Sequence, residues 1–219
     1  MSAFGNNQLN LLYAQGIAED IIAILVKCCK KMKADAFSGN LLPNNENKIT
    51  NRLFNDYLEN EHVYKLFHFQ LQAPENYNSK TNLYAGIADI RVTLWDMLSL
   101  PTIYMLIECK RVDGKAPLNK EYIKEGVQRF IGDLPKYKSH YGRNIILGYV
   151  VSSINIPENV VKMEMLQAKL IEGVSISDFE LRGYNSDWYI YSSESTSGEG
   201  ISIILDHLFF NLSDAIIAN

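Results

Sequence analysis

Cysteine is scarce in this chain, with only Cys28, Cys29 and Cys109. An odd count, with two of the three adjacent on a helical stretch, offers neither a disulfide framework nor a zinc site and fits a reducing compartment. Histidine is also sparse. His62, His68, His140 and His207 stand at no metal-ligand spacing and read as surface or satisfied histidines. No apolar run approaches the roughly 20 residues that cross a bilayer, and the start "MSAFGNNQLN" lacks the basic-then-apolar layout of a secretory signal. The expectation is a cytoplasmic protein with no membrane partner. There is no G-x-x-x-x-G-K-[ST] loop, which argues against ATP-driven chemistry, and no internal repeat.

What remains is an ordinary globular composition. The 219 residues are 47% apolar and 21% charged, enough for one sizeable domain. Net charge is −4, which taken alone argues against a nucleic-acid partner. Its distribution is uneven. Between Cys109 and Arg143 stand Lys110, Arg111, Lys115, Lys120, Lys124, Arg129, Lys136, Lys138 and Arg143, against the acids Asp113, Glu121, Glu125 and Asp133. That surplus of five leaves the rest of the chain near −9 and points to an anionic ligand, with a solvated helix face as the alternative.

Hydrophobic periodicity predicts a helix over residues 8–33 and a second over "NKITNRLFNDYLEN", separated by the turn-rich "FSGNLLPNNENK". Alternation predicts a strand from His62 to Leu71, a polar loop "QAPENYNSKTN", and a strand "LYAGIADIRVTLWD". The short "DMLSLP" connection makes an antiparallel hairpin with the next strand, "TIYMLIECKR". Asn119 is the expected N-cap of the following helix. "NIILGYVVS" reads as a strand buried on both faces, and Pro157 opens a further helix to about residue 173. One or two strands then close the sheet. The order predicts an α/β fold, a central mixed sheet flanked by helices, within a single domain. That domain comprises N-terminal helices over 8–60, a core over 62–151 and an extension over 152–219 of unassigned role.

In the third strand Glu108 and Lys110 share a face with Tyr104 and Leu106, opposite Met105, Ile107 and Cys109. If the hairpin pairs, Asp89 approaches Glu108 on the side facing Lys110. Two carboxylates in a cleft form a hard oxygen site suited to Mg²⁺ or Mn²⁺, and a neighbouring ammonium can orient a water. An E-x-K tripeptide arises by chance on the order of once in a chain this long, and Glu46, Asn47 and Lys48 spell another. Position separates the two, since Glu108 ends an apolar strand 19 residues after Asp89, whereas Glu46 precedes a helix. The alternative is a surface cross-strand ion pair.

The succession "GIADI", "IYMLIECKR", a helix bearing "EGVQRF", and "IILGYVV" resembles the PD-(D/E)xK nuclease superfamily over residues 46 to 151, although Ala88 stands where that family often has proline. The resemblance implies a three-layer restriction-endonuclease-like core. It also implies a metal held by Asp89, Glu108 and the Cys109 carbonyl, Lys110 assisting the attacking water, and Glu46 as a further acid. Gln128 would be the polar residue that the following helix aims at the site, with Tyr137 as companion. The expected activity is Mg²⁺- or Mn²⁺-dependent hydrolysis of DNA, with RNA left open, in a setting of restriction or defence. Arg111, Lys115, Lys124, Arg129, Lys136 and Tyr137 would hold the backbone, and two-strand cutting would favour a homodimer. The competing expectation is an inactive module of the same fold that binds nucleic acid or a protein. Trp95, Trp188 and the thirteen tyrosines are read as packing aromatics because they do not interleave with bases in a run. Cys109, pointing away from Glu108, is read as a buried thiol rather than a nucleophile.

Overall fold

The structure is a computed structural model that describes residues 3–59, 66–95, 103–131, 135–196 and 202–217, with side chains from residue 12 onward. Helix α1 (Ala3–Phe37) turns Ile17, Ile21, Leu25, Cys28, Cys29 and Met32 inward at three- and four-residue steps, which is why it forms one long buried stripe. Helix α2 (Glu46–Arg52) begins at Asn45, whose side chain accepts the Lys48 N–H, and runs on into a π-helical segment over Leu53–Leu58.

Among the described residues the sheet has eight strands. Strands β1 (Phe67–Asn78), β2 (Leu83–Leu94), β3 (Met105–Val112), β4 (Arg143–Val150), β5 (Ser175–Ile176), β7 (Trp188–Thr196) and β8 (Ser202–Asn211) stand in the order β1-β2-β3-β4-β8-β7-β5, and β6 (Glu180–Tyr184) pairs with β7. β3 and β8 both run parallel to β4, and the other pairings are antiparallel. The parallel β3 and β4 require a crossover, supplied by α3 (Ala116–Glu125). Helix α4 (Ile156–Leu170) follows β4.

Two apolar layers follow from strand alternation. Met105, Ile107, Cys109, Ile145, Leu147, Leu208 and Phe210 pack with α1 and α2 on one face. Leu106, Ile146, Val150, Leu205 and Phe209 pack with α3 and α4 on the other. The α/β class with a mixed sheet and helices on both faces is therefore present. β4 is buried at every position, as its continuous apolar run implied. Among the described residues no helix is long and apolar enough to cross a membrane.

Several expectations are corrected. The loop expected over 72–82 is mostly strand, because β1 continues to Asn78 and pairs with β2 as far as Asn78↔Leu83. Its polar residues misled because β1 is an edge strand, where Pro74 is tolerated and Gln72 and Asn76 take φ of 51° and 52°. His62 and Val63 of the expected strand, the 96–101 connection and Asp133 lie outside the described residues. Lys115 rather than Asn119 occupies the cap position of α3, and Asn119 is buried in a reciprocal amide pair with Asn159. The described part of residues 152–217, left without a role above, supplies α4 and four strands where one or two were expected, and β8 lies between β4 and β7 along eight positions paired with β4.

At Gly148, between Lys110 and Phe209 in the register, an added Cβ would sit 2.7 Å from Phe209 Cδ1. Gly148→Ala should lower the free energy of unfolding by about 1 to 3 kcal/mol in urea titrations, as overpacking does. Unchanged stability would mean that β4 and β8 do not pack this closely.

Candidate active site

The site begins where β2 and β3 part. Their register runs from Val92↔Met105 to Ile90↔Ile107, and one step further Asp89 lies across from Glu108. There Asp89 Oδ2 accepts the Cys109 N–H at 2.7 Å, so a side chain serves as acceptor for the β3 backbone. On the next turn of alternation Lys110 Nζ lies 3.0 Å from Glu108 Oε1 and donates to the Cys109 carbonyl at 2.8 Å.

Helix α2 delivers a third acid. Glu46, the first residue after the Asn45 cap, accepts from Lys110 Nζ at 3.0 Å through Oε1 and from the Arg111 N–H at 3.0 Å through Oε2. Arg111 is in turn held by the Asn44 backbone and side-chain oxygens, each at 2.9 Å. Nζ of Lys110 is thus surrounded by two carboxylates and a carbonyl. This is a buried network, not the exposed cross-strand pair of the alternative reading, for Glu108 is fully buried and Lys110 only 5% exposed.

A fourth element closes the group. Arg129, in the short 3₁₀ turn Val127–Arg129 after α3, donates to Glu108 Oε1 at 2.8 Å, to Tyr137 OH at 2.6 Å and to Glu125 Oε2 at 3.1 Å. Tyr137 donates to the Ile87 carbonyl at 2.7 Å and lies against Gly86, where a Cβ would fall 2.9 Å from its ring. A Cβ there would force the tyrosine ring to shift.

Burial sets the electrostatics. It pushes the Glu108 carboxyl up from 4.5 to about 7, with Asp89 adding to the rise and Lys110 and Arg129 opposing it. Burial likewise raises Asp89, against the pull of Lys110. Burial alone would lower the Lys110 ammonium, but Glu108, Glu46 and Asp89 together hold it above its ordinary value. Lys110 therefore stays charged and acts as a donor, not as a base. Glu108 Oε2 is buried without a hydrogen-bond partner, an arrangement that ordinarily costs stability and marks a place where another group can bind.

The structure thus gathers Asp89, Glu108, Lys110, the Cys109 carbonyl and Glu46, together with Arg129 and Tyr137. The Cys109 thiol lies on the opposite face, fully buried and within 3.4 Å of the Tyr149 hydroxyl. Gln128 is exposed beside this group, and Arg129 is the residue of that segment whose side chain reaches Glu108. The helix expected to run through Gln128 stops at Glu125, and Gly126 at φ −113°, ψ −82° shifts the phase. Tyr137 is buried and so presents no ring to a ligand, and Arg129 is committed to Glu108. Arg143, counted in the basic segment, is buried against Asp206 at 2.6 and 2.7 Å. Lys115, Lys124 and Lys136 are exposed, as are Lys120 and Lys138.

The donor set for a cation consists of the Asp89 and Glu108 carboxylates and the Cys109 carbonyl. Both Glu46 oxygens are turned to Lys110 and Arg111. Among the described residues no three His, Cys, Asp or Glu side chains form a ready metal cage. Two carboxylates, one with a partnerless buried oxygen, still fit a hard divalent cation that keeps several waters.

Because Glu108 holds a proton in the folded chain that the unfolded chain releases, its contribution to stability is present below pH 4.5 and lost as pH rises to about 7. Relative to Glu108→Gln, the wild-type unfolding free energy should fall by on the order of 1 to 3 kcal/mol between pH 5 and pH 8, by urea titration. A difference independent of pH would remove the assignment.

Compared with protein-family models, curated proteins and solved structures, the chain matches none.

Proposed function

We propose that the chain is a divalent-metal-dependent endonuclease hydrolysing phosphodiester bonds, with DNA as substrate and Mg²⁺ or Mn²⁺ as cofactor. The single observation carrying this reading is the buried Glu108 carboxylate, with one oxygen unpartnered, beside Asp89 and the charged Lys110. The mixed sheet with helices on both faces is also what the restriction-endonuclease-like resemblance implies.

Asp89, Glu108 and the Cys109 carbonyl would hold the cation, whose chemistry there would be to lower the pKa of a bound water and to offset charge on the phosphate. Lys110, whose three donors are held by Glu46, Glu108 and the Cys109 carbonyl, would exchange its contact with that carbonyl to donate to the attacking oxygen and orient it for in-line displacement. Glu46 fixes Lys110 from the side of α2, and its two contacts keep the ammonium from swinging away. Arg129 offsets the negative charge of Glu108 and holds Tyr137 beside it. The exposed Lys115, Lys124 and Lys136 would contact backbone phosphates without reading sequence. RNA offers the same phosphate chemistry, so the same cleavage assay with an RNA substrate decides between the two.

A second reading keeps the fold without the chemistry. It is favoured by one observation: Glu108 Oε1 and both Glu46 oxygens are already engaged by groups of the chain itself, as in a binding module with an internally neutralised core.

Two measurements separate these readings. Plasmid cleavage with Mg²⁺ or Mn²⁺ should fall by about 100-fold or more in Lys110→Ala, the scale of losing a positioned donor; undiminished cutting would exclude this mechanism. Calorimetry should detect Mn²⁺ binding that vanishes in Asp89→Ala. No binding heat in the wild type would favour the module.

A further inference from the structure

Pairing of β1 with β2 continues outward from the site to a hairpin tip, and this tip faces the segment that follows Arg129. Tyr77 and Tyr84 are cross-strand partners there, with ring centroids 5.2 Å apart and each 54% exposed. Leu83 beside them is also exposed. Between the tip and residues 135–138 runs an open groove of about 780 Å³. Among the described residues its lining includes these aromatics with Lys80, Lys136 and Lys138 and no acid. Lys136 Nζ lies 3.8 Å from Glu125 Oε2 at the groove's rim, and the three lysines still leave a local surplus of positive charge on a chain of net charge −4.

The groove is joined to the active site by named contacts. Asn76 donates to the Lys136 carbonyl at 2.5 Å, holding the 135–138 segment against the hairpin. The next residue, Tyr137, sits on Gly86 and bonds Ile87 and Arg129, which bonds Glu108. Along β2 the distance from Tyr84 to Asp89 is five residues, or about 17 Å.

We propose that this groove binds single-stranded DNA, with bases stacking on Tyr77 and Tyr84 and phosphates held by Lys80, Lys136 and Lys138, and that it leads the strand to Glu108. Aromatic faces accept every base, and lysines follow the backbone, so the binding is indifferent to sequence. A duplex keeps its base faces covered and gains only the lysine contacts. This rests on reading the site as a DNA hydrolase and adds the form of substrate that it takes.

The test is fluorescence anisotropy of a labelled 20-nucleotide single strand and the matching duplex, with full-length protein in EDTA so that nothing is cut. The single strand should bind more tightly than the duplex. Tyr77→Ala with Tyr84→Ala should weaken single-strand binding by about tenfold or more and leave duplex binding nearly unchanged. The corresponding Phe pair should bind as the wild type does, since phenylalanine keeps the stacking face. Lys136→Ala with Lys138→Ala should reduce the slope of log affinity against log salt by about 1.4, at roughly 0.7 per phosphate contact. Unchanged single-strand affinity in the Tyr→Ala pair would overturn the proposal. So would equal binding of a polyglutamate peptide, or tighter binding of RNA of the same sequence. If the oligonucleotide binds as expected while Lys110→Ala cuts like the wild type, the nuclease reading falls and the groove stands. Metal-dependent cutting with no effect of the tyrosines leaves the opposite.

Discussion

The Glu108 carboxylate is the constraint around which the rest of the site is arranged. It has no solvent exposure, and a buried carboxylate is costly unless charged partners surround it. Lys110 and Arg129 reach the same oxygen, Oε1, at 3.0 and 2.8 Å, and neither reaches Oε2. Compensation is therefore one-sided. The carboxyl is pushed up to about 7, a value at which small changes in the surroundings decide its charge. Glu46 and Asp89 balance the cations in turn, so four elements of the chain meet at one ion network.

The topology explains how they meet. β3 carries Glu108 and Lys110 on one face, with the apolar Met105, Ile107 and Cys109 anchoring the opposite face against α1 and α2. α2 is tied to the far end of the chain by the Leu42 and Ile216 bridge, and it presents Glu46 from its first turn. The parallel pairing of β3 with β4 forces a crossover through α3. The turn after α3 brings back Arg129, and the chain then returns Tyr137 to the edge of β2. β8, buried beside β4, gives the sheet its width, with His207 held neutral between Tyr122 and Ser193. Burial lowers His207 to about 3, so it packs as an uncharged core group stacked on Phe179.

Much of this was legible in the sequence, and the reasons are local. The alternation in β3 fixed which residues share the face of Glu108, and the hairpin spacing placed Asp89 opposite it. Glu46 was suggested by the family resemblance and not by any local pattern. What was not legible depends on contacts between distant segments or on backbone geometry. Arg129 supplants Gln128 because Gly126 ends α3 and changes the phase, which periodicity does not reveal. Tyr137 is buried because Gly86, 51 positions earlier, leaves room for it. Lys136 and Lys138 face Tyr77 and Tyr84 only in the folded chain, so no run of bases and aromatics marks the groove. The stretch holding β8 was expected as a closing strand, but its place between β4 and β7 is set by packing, not by sequence order.

The central claim is that Asp89, Glu108 and the Cys109 carbonyl form a hard cation site. A crystal soaked in Mn²⁺ tests it most directly through anomalous scattering. A peak within about 2.0 to 2.6 Å of those three oxygens, at full strength above pH 7, is the result the account predicts. Density without such a peak, with Glu108 still bound to Lys110 and Arg129, would contradict it.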